Sequence, residues 1–259
     1  METEKKRGIT GGWLKWFAVI TMFVDHFTAV FFLTWYWPGR LRAGIGPAIP
    51  DASRALFWIL RGGGRFAFPI YCFLLVEGFF HTRNVKKYLG RLLLFGIVSE
   101  IPFDLAFDRL WFSWLSQNVY FTLFLGLLGI WLWDAITKKA PEGASLPRKL
   151  GGYLLAAIPV AVCMTAAEYA HTDYGWGGVL VIFWMYLFRD HGLLRAATAG
   201  PALLSAGMIE AVSWPDFLLF RYYNGQRGRQ PKYFFYIFYP AHLGPVSSGQ
   251  RESAMYRLY

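Results

Sequence analysis

Long apolar runs alternate with short polar segments, most of them basic, along almost the whole chain. A helix needs about 20 apolar residues to cross the hydrocarbon core of a bilayer. Runs of that kind, some of them shorter, lie at residues 13–36, 55–80, 88–107, 119–137, 150–170, 176–188, 193–220 and 233–246. The first is too long for a signal peptide, lacks a small-residue cleavage site and carries Asp25 and His26 at its centre. It predicts a retained span. The seventh is broken at Trp214-Pro215, which predicts two short helices in a hairpin. The fold class expected is all-α: a polytopic transmembrane helical bundle of eight spans, or nine with the hairpin. No linker, repeat or low-complexity segment divides residues 1–259, which read as a single integral-membrane domain.

Composition narrows the choice. Of 259 residues 56% are hydrophobic and 16% charged, and the mean hydropathy is +0.33. A soluble domain is roughly 25% charged, which argues against a single soluble domain. The aromatic content of 20% argues against a disordered chain. Cys72 and Cys163 each lie inside an apolar run and read as buried thiols rather than a disulfide.

The net charge of +10 does not gather on one face, which argues against nucleic acid as a partner. The basic residues fall between the apolar runs, as in the cytoplasmic loops of a membrane protein. Lys5, Lys6 and Arg7 put the N-terminus in the cytoplasm, and the connections holding Arg83, Lys86 and Lys87, then Lys138, Lys139, Arg148 and Lys149, then Arg189 and Arg195, follow it there. The basic segment 221–232 joins them only if the seventh run is a hairpin, and the irregular stretch 38–51 faces outward.

Ionisable groups inside the spans carry the candidate chemistry, because an Asp or Arg at mid-membrane costs at least ~2.5 kcal/mol unless water or a partner receives it. Asp25-His26 sits roughly 20 Å into the first span at 1.5 Å per residue, with Lys15 three turns earlier on the face of His26. Arg65 and Glu77 lie in the second run, and Glu100 and Asp104, one turn apart, in the third. Gln117, Asn118 and Thr122 open the fourth, while Lys232, Tyr236, Tyr239 and His242 line the last. Their convergence predicts a polar central cavity, with Arg65, Glu100 and Asp104 expected to form one ionic network.

An imidazole beside a carboxylate is the usual general base. His26 and His242 are the two candidates. Adjacent helical positions point ~100° apart, so Asp25 can instead serve a neighbouring span while Glu100 or Asp104 orients His26. The sequence holds no G-x-S-x-G, no H-E-x-x-H, no P-loop and no zinc-type spacing, so no metal is expected. Direct acyl transfer needs a base, donors for the thioester oxyanion and cations for a phosphate-rich carrier. His26 or His242, then Asn118, Gln117 or Tyr239, then Arg83, Lys86, Lys87 and Arg91 supply these types.

The ordered motifs sharpen this reading. They are Met22-Phe23-Val24-Asp25-His26, Gly64-Arg65-Phe66-Ala67-Phe68-Pro69, Glu77-Gly78-Phe79 with Thr82-Arg83-Asn84, and Ser99-Glu100-Ile101-Pro102-Phe103-Asp104. Then come Gln117-Asn118-Val119 with Thr122, Asp173-Tyr174-Gly175, Tyr223-Asn224-Gly225 and Tyr239-Pro240-Ala241-His242-Leu243. Together, from residue 13 to about 245, they resemble the TraX family, named for a conjugative-plasmid protein that acetylates the N-terminus of F-type pilin. The resemblance implies an acetyltransferase of the bacterial inner membrane with acetyl-CoA as co-substrate, the bilayer as surroundings, and a pilin, peptide or glycan as acceptor. It implies a catalytic role for the buried His of the first span, here His26. It also implies acetyl-CoA or substrate contacts for motif residues such as Arg65, Asn84, Asp104, Thr122 and Asn224. The stretch 38–61 and the basic tail after Gly244 match no part of the pattern.

Two other readings compete. Buried Asp, Glu, Arg and His also mark a proton- or solute-coupled transporter, although the two halves show no convincing repeat. A non-catalytic assembly factor of a pilus or secretion apparatus would have no use for a buried Asp-His pair.

Overall fold

The structure, a computed structural model, describes residues 7–42, 50–107, 110–139, 145–229, 231 and 233–247. Helix α1 (Gly11–Val30) starts where the Thr10 hydroxyl accepts from the Trp13 amide at 3.3 Å. It continues through a π-helical stretch, Phe31–Tyr36, into α2 (Trp37–Arg42). Helices α3 (Asp51–Gly64) and α4 (Ala67–His81) follow one another through Arg65-Phe66 as one long rod. Asn84 caps α5 (Val85–Phe107), its side chain accepting from the Lys87 amide at 2.9 Å. Asn118 caps α6 (Val119–Thr137) in the same way through Tyr120 at 3.1 Å. There follow α7 (Leu146–Tyr169), α8 (Gly175–Leu187), α9 (Gly192–Leu203), the single turn α10 (Asp216–Leu219) and α11 (Phe234–Ser247).

Ring contacts fix the directions of these helices. Trp16 meets Phe234 and Phe235, Phe23 meets Phe238, and His26 meets His242, so α11 runs parallel to α1. Phe95 stacks on Tyr236 and Phe107 lies against His26, so α5 runs the same way. The pairs Phe17 with Phe66 and Asp25 with Arg61 set the α3–α4 rod antiparallel. Trp133 over Tyr153, Gln117 beside Thr172 and Tyr186 bonded to Asp134 order α6, α7 and α8. The bundle therefore has a near end, at the start of α1, and a far end, where α1 finishes.

Among the described residues the chain makes nine passes between these ends, the eighth of them largely 3-10. After α9, Gly207 takes a φ of +143° and turns the chain back. The 3-10 turns Met208–Ser213 and Phe220–Tyr222, with α10 between them, return to the near end. There the Ile9 amide donates to the Tyr222 carbonyl at 2.8 Å and the Gly11 amide to the Gln226 carbonyl at 2.9 Å. The expected hairpin is present, but the reversal falls at Gly207 rather than at Trp214-Pro215. Pro215 starts α10, where its missing N–H costs nothing.

A continuous apolar core runs from Leu14 to Leu243. Cys72 and Cys163 are free and buried in the interior. Outward-facing positions such as Leu94, Ile97, Leu154 and Val162 are exposed apolar side chains, the surface of a protein whose solvent is lipid. Stretches Gly11–Arg40, Asp51–His81, Val119–Thr137 and Leu146–Tyr169 are each long and apolar enough to cross a membrane. Lys and Arg are concentrated toward one end: Arg83, Lys86, Lys87, Lys138, Lys139, Arg148, Lys149, Arg221, Arg227 and Arg229 lie in or beside near-end connections, with Glu77 and Asp134 among them. Asp25, Glu100, Asp104, Asp173 and Glu210 lie toward the far end, together with Arg54, Arg61 and Arg65.

Candidate active site

Consecutive residues of α1 face two different neighbours. Asp25 turns toward α3, where Arg61 Nη1 donates to its Oδ1 at 2.6 Å and Arg65 Nη2 donates to Oδ2. Arg65 also binds Glu210 Oε1 through Nη1 at 3.2 Å and the Arg61 carbonyl through Nε at 3.3 Å. A Cβ at Gly64 would overlap the Asp25 side chain, so glycine there is what lets α3 come this close to α1. Two carboxylates and two guanidiniums make a cluster with no formal net charge, and the Asp25 and Glu210 side chains are only 6% and 2% exposed. Such a cluster resists removal of any one member, because that strands an uncompensated buried charge.

His26 turns toward α11. Its Nδ1 lies 2.7 Å from His242 Nε2, the two rings nearly coplanar, and His242 Nδ1 lies 2.9 Å from the Phe238 carbonyl. The carbonyl only accepts, so His242 carries its proton on Nδ1 and presents a lone pair at Nε2. His26 must then donate from Nδ1, which leaves its own Nε2 unprotonated. Among the described residues Nε2 of His26 has no hydrogen-bond partner. Phe107 and Tyr239 pack edge-on against the ring and fix its plane. The chain of bonds thus produces a half-buried imidazole with an unprotonated nitrogen that has no partner among the described residues, oriented by a second imidazole and not by Glu100 or Asp104.

Those two carboxylates do other work, and the expected network with Arg65 does not form. Asp104 Oδ2 accepts from the Ser113 amide at 2.8 Å, while Glu100 Oε2 takes the Asn118 side-chain amide and lies 3.4 Å from its backbone amide. Both stand on α5 facing the connection to α6, whose unpaired backbone donors they receive. The Asn118 amide also donates to the Gly96 carbonyl at 2.9 Å. Gln117 donates its side-chain amide to the Ser113 and Ser116 carbonyls at 2.7 and 3.1 Å. Neither amide is left over for an oxyanion. Gln117 also exchanges backbone bonds with His171 and Asp173. Thr122 donates to the Asp173 carbonyl and lies 3.0 Å from the Thr172 hydroxyl. This straps the turn 171–174 across the far end, where the Tyr174 ring stacks on Phe68 at 3.5 Å between centroids.

The other predicted contacts lie at the near end. Arg83, Lys86 and Lys87 are exposed beyond α4, Asn84 is occupied as the cap of α5, and Arg91 lies against the Tyr88 ring. From Lys87 to Phe107 the rise of α5 is ~30 Å. Lys15 shares the α11 face with His26 as expected, over Phe235, but sits ~16 Å short of it. Asn224 shapes the turn 224–226 and reaches the Gly8 carbonyl at 3.3 Å. Glu77 pairs with Arg189 at 2.7 and 3.2 Å, and that bonded carboxylate holds the guanidinium above its ordinary pKa. Lys232 and the tail after residue 247 lie outside the described residues.

Two members of the ionic cluster escaped the sequence reading. Arg61 stands one turn before Arg65, a spacing that puts both on one face. Glu210 lies in the seventh run, whose broken pattern hid the register. Among the described residues no group of three or more His, Cys, Asp or Glu side chains is gathered to hold a metal ion.

Residues 10–245 match the family model described as TraX protein. The chain is 29% identical over 266 residues to a probable fimbrial assembly protein FimC, serogroup H1, of Dichelobacter nodosus, covering 92% of this chain and 94% of the relative. No solved structure matches.

Proposed function

This chain belongs to the TraX protein family, and from that premise we propose that it is an integral-membrane acetyltransferase using acetyl-CoA, with His26 as general base. The observation that carries the reading is the tautomer chain from the Phe238 carbonyl through His242 to His26, which leaves a free lone pair on His26 Nε2. A base must hold an unprotonated nitrogen where the acceptor's N–H or O–H arrives. His242 acts as the positioning residue, fixing the tautomer and accepting from the Nδ1–H of the imidazolium that forms.

The acceptor is an amine or hydroxyl of a pilin chain, a peptide or a glycan. A pilin is favoured by the relative's name, a fimbrial assembly protein. The concentration of Lys and Arg at the near end favours a cytoplasmic N-terminus in the inner membrane. In that orientation the cations Arg83, Lys86, Lys87 and Arg91 meet the phosphates of acetyl-CoA, while the acceptor meets His26 toward the opposite side.

The test uses the full chain in lipid nanodiscs with acetyl-CoA and a mixture of unblocked peptides and glucosamine. Expected is release of free thiol matched by acetylated acceptor, lost in His26→Ala. Solute uptake into proteoliposomes without thiol release would overturn the reading in favour of a transporter.

A further inference from the structure

We propose that Arg61 is a catalytic residue of this site, the donor that receives the negative charge formed on the thioester oxygen. The inference rests on the acetyl-transfer reading above. The residues that composition and motif put forward as oxyanion donors are occupied: both Gln117 and Asn118 side-chain amides bind carbonyls or Glu100. Tyr239 is buried in aromatic packing against His26, Tyr120 and His242. Arg65 uses Nε, Nη1 and Nη2 on the Arg61 carbonyl, Glu210 and Asp25.

Arg61 is different. Its one side-chain bond is Nη1 to Asp25, which leaves Nε and Nη2 with no partner among the described residues. Neither atom is sealed from solvent, and a quarter of the side chain (25%) is exposed although it stands in a mid-bundle ionic cluster. A planar guanidinium held by one edge and open along the others is already oriented for a second anion. Asp25 holds it, and Asp25 is the residue before His26. The lone pair at His26 Nε2 and the unused N–H donors of Arg61 thus stand at one level of the bundle, on two adjoining faces of α1.

The step balances without any further reagent. The acceptor nitrogen or oxygen attacks the thioester carbon, forming the new C–N or C–O bond while the carbonyl electron pair moves onto oxygen. His26 Nε2 takes the acceptor's proton, and Arg61 donates to the oxyanion. On collapse the carbonyl re-forms, the C–S bond breaks, and the departing CoA sulfur takes the proton from His26. Donors fixed in place before reaction act on the charge as it develops. The Asp25 carboxylate and the two guanidiniums supply that fixed setting.

Arg61→Gln, Arg61→Lys and the wild type are compared in nanodiscs with acetyl-CoA and the same peptide and glucosamine mixture. Loss of an oxyanion donor lowers kcat by ~10²–10³-fold, so Arg61→Gln is expected to fall in that range with the KM for acetyl-CoA within about twofold of wild type. A dithioester analogue of acetyl-CoA supplies a readout that a structural role does not move. Its C=S sulfur is a poor hydrogen-bond acceptor, so the analogue should slow the wild type far more than Arg61→Gln. Should Arg61→Gln fail to fold, Arg61→Lys keeps the charge facing Asp25 but lacks the planar fork, and it should lose at least tenfold in kcat with the same insensitivity to the analogue. Overturning results are a folded Arg61 variant with more than a third of wild-type kcat, or variant and wild type slowed equally by the analogue. If the wild type releases no thiol at all, the acetyl-transfer reading falls first and this one with it. A wild type that transfers acetyl beside an active variant removes Arg61 alone.

Discussion

Two groups of buried acids toward the far end of the bundle look alike in the sequence and differ in what they receive. Asp25 and Glu210 receive guanidinium groups from α3 and the joint that follows it, and the cluster ends in unused donors on Arg61. Glu100 and Asp104 receive backbone and side-chain amides of the α5–α6 connection. An ionised carboxylate inside a membrane protein is costly in either setting. When it faces a cation that has hydrogen bonds to spare, it holds reactive groups open to a ligand. When it faces backbone N–H groups it replaces water that the loop would otherwise need, and the result is a fastened loop.

The largest effect that would break this contrast is expected at His26. A general base contributes ~10²–10⁴-fold, so His26→Ala should lower kcat by that factor with yield and acetyl-CoA binding intact. His26→Gln keeps a hydrogen bond but takes up no proton and should be equally inactive. His242→Gln retains an acceptor for the Nδ1–H of His26 and should lose less. A steady-state comparison of the three settles the order, and a His242 variant as dead as His26→Ala would mean that the base is His242.

The ionic cluster comes next. Removing one partner of a buried pair typically costs ~3–5 kcal/mol, so Arg65→Ala should sharply reduce the folded fraction recovered in detergent. Arg65→Met combined with Glu210→Gln should restore part of it, whereas Arg65→Met combined with Glu100→Gln should be additive within ~0.5 kcal/mol, as expected of residues without a shared contact. Coupling of Arg65 to Glu100 would merge the two groups and remove the distinction between them.

In the second group, Asp104→Ala leaves the Ser113 amide without its acceptor. An orphaned buried donor costs ~1–3 kcal/mol. Thermal unfolding in nanodiscs should show that loss while kcat stays within about threefold of wild type. A hundredfold loss of kcat at unchanged stability would move Asp104 into the chemistry.

The spans were legible because lipid imposes one rule on every residue facing it: to within a few residues the first run matches α1 with its π-helical extension, the second the α3–α4 rod, and the next four α5 to α8. The eighth pass was only half legible. Its 3-10 turns have no 3.6-residue period, and the reversal depends on a single glycine φ at Gly207 that no hydrophobic pattern records. His26, His242 and Asp25 could be singled out because an ionisable group at mid-span has few bland explanations. Their partners could not. Whether Glu100 meets Arg65 or Asn118 depends on the rotation of α5 about its axis, and the charges of α5 give no hint of it. Asn84 and Asn224 show the opposite failure: polar residues at motif positions whose side chains are spent on a helix cap and a turn.

The smallest effect expected is at the near end, where the charge is abundant but exposed. Lys86 and Lys87 lie on the first turn of α5, ~30 Å of helix from the level of His26. A charge there cannot reach the reacting atoms, and any part it plays must be in meeting the carrier's phosphates. Exposed ion pairs contribute ~0.2–1 kcal/mol each and are screened by salt. Lys86→Glu with Lys87→Glu should therefore raise the KM for acetyl-CoA several-fold at low ionic strength, with kcat unchanged, and the difference from wild type should shrink as salt is added. A KM that does not move at any ionic strength leaves these lysines with topology as their one role and sends the search for the phosphate contacts deeper, toward Arg91. A fall in kcat without a change in KM would mean that the two ends communicate, and the separation between a binding end and a reacting end would fail.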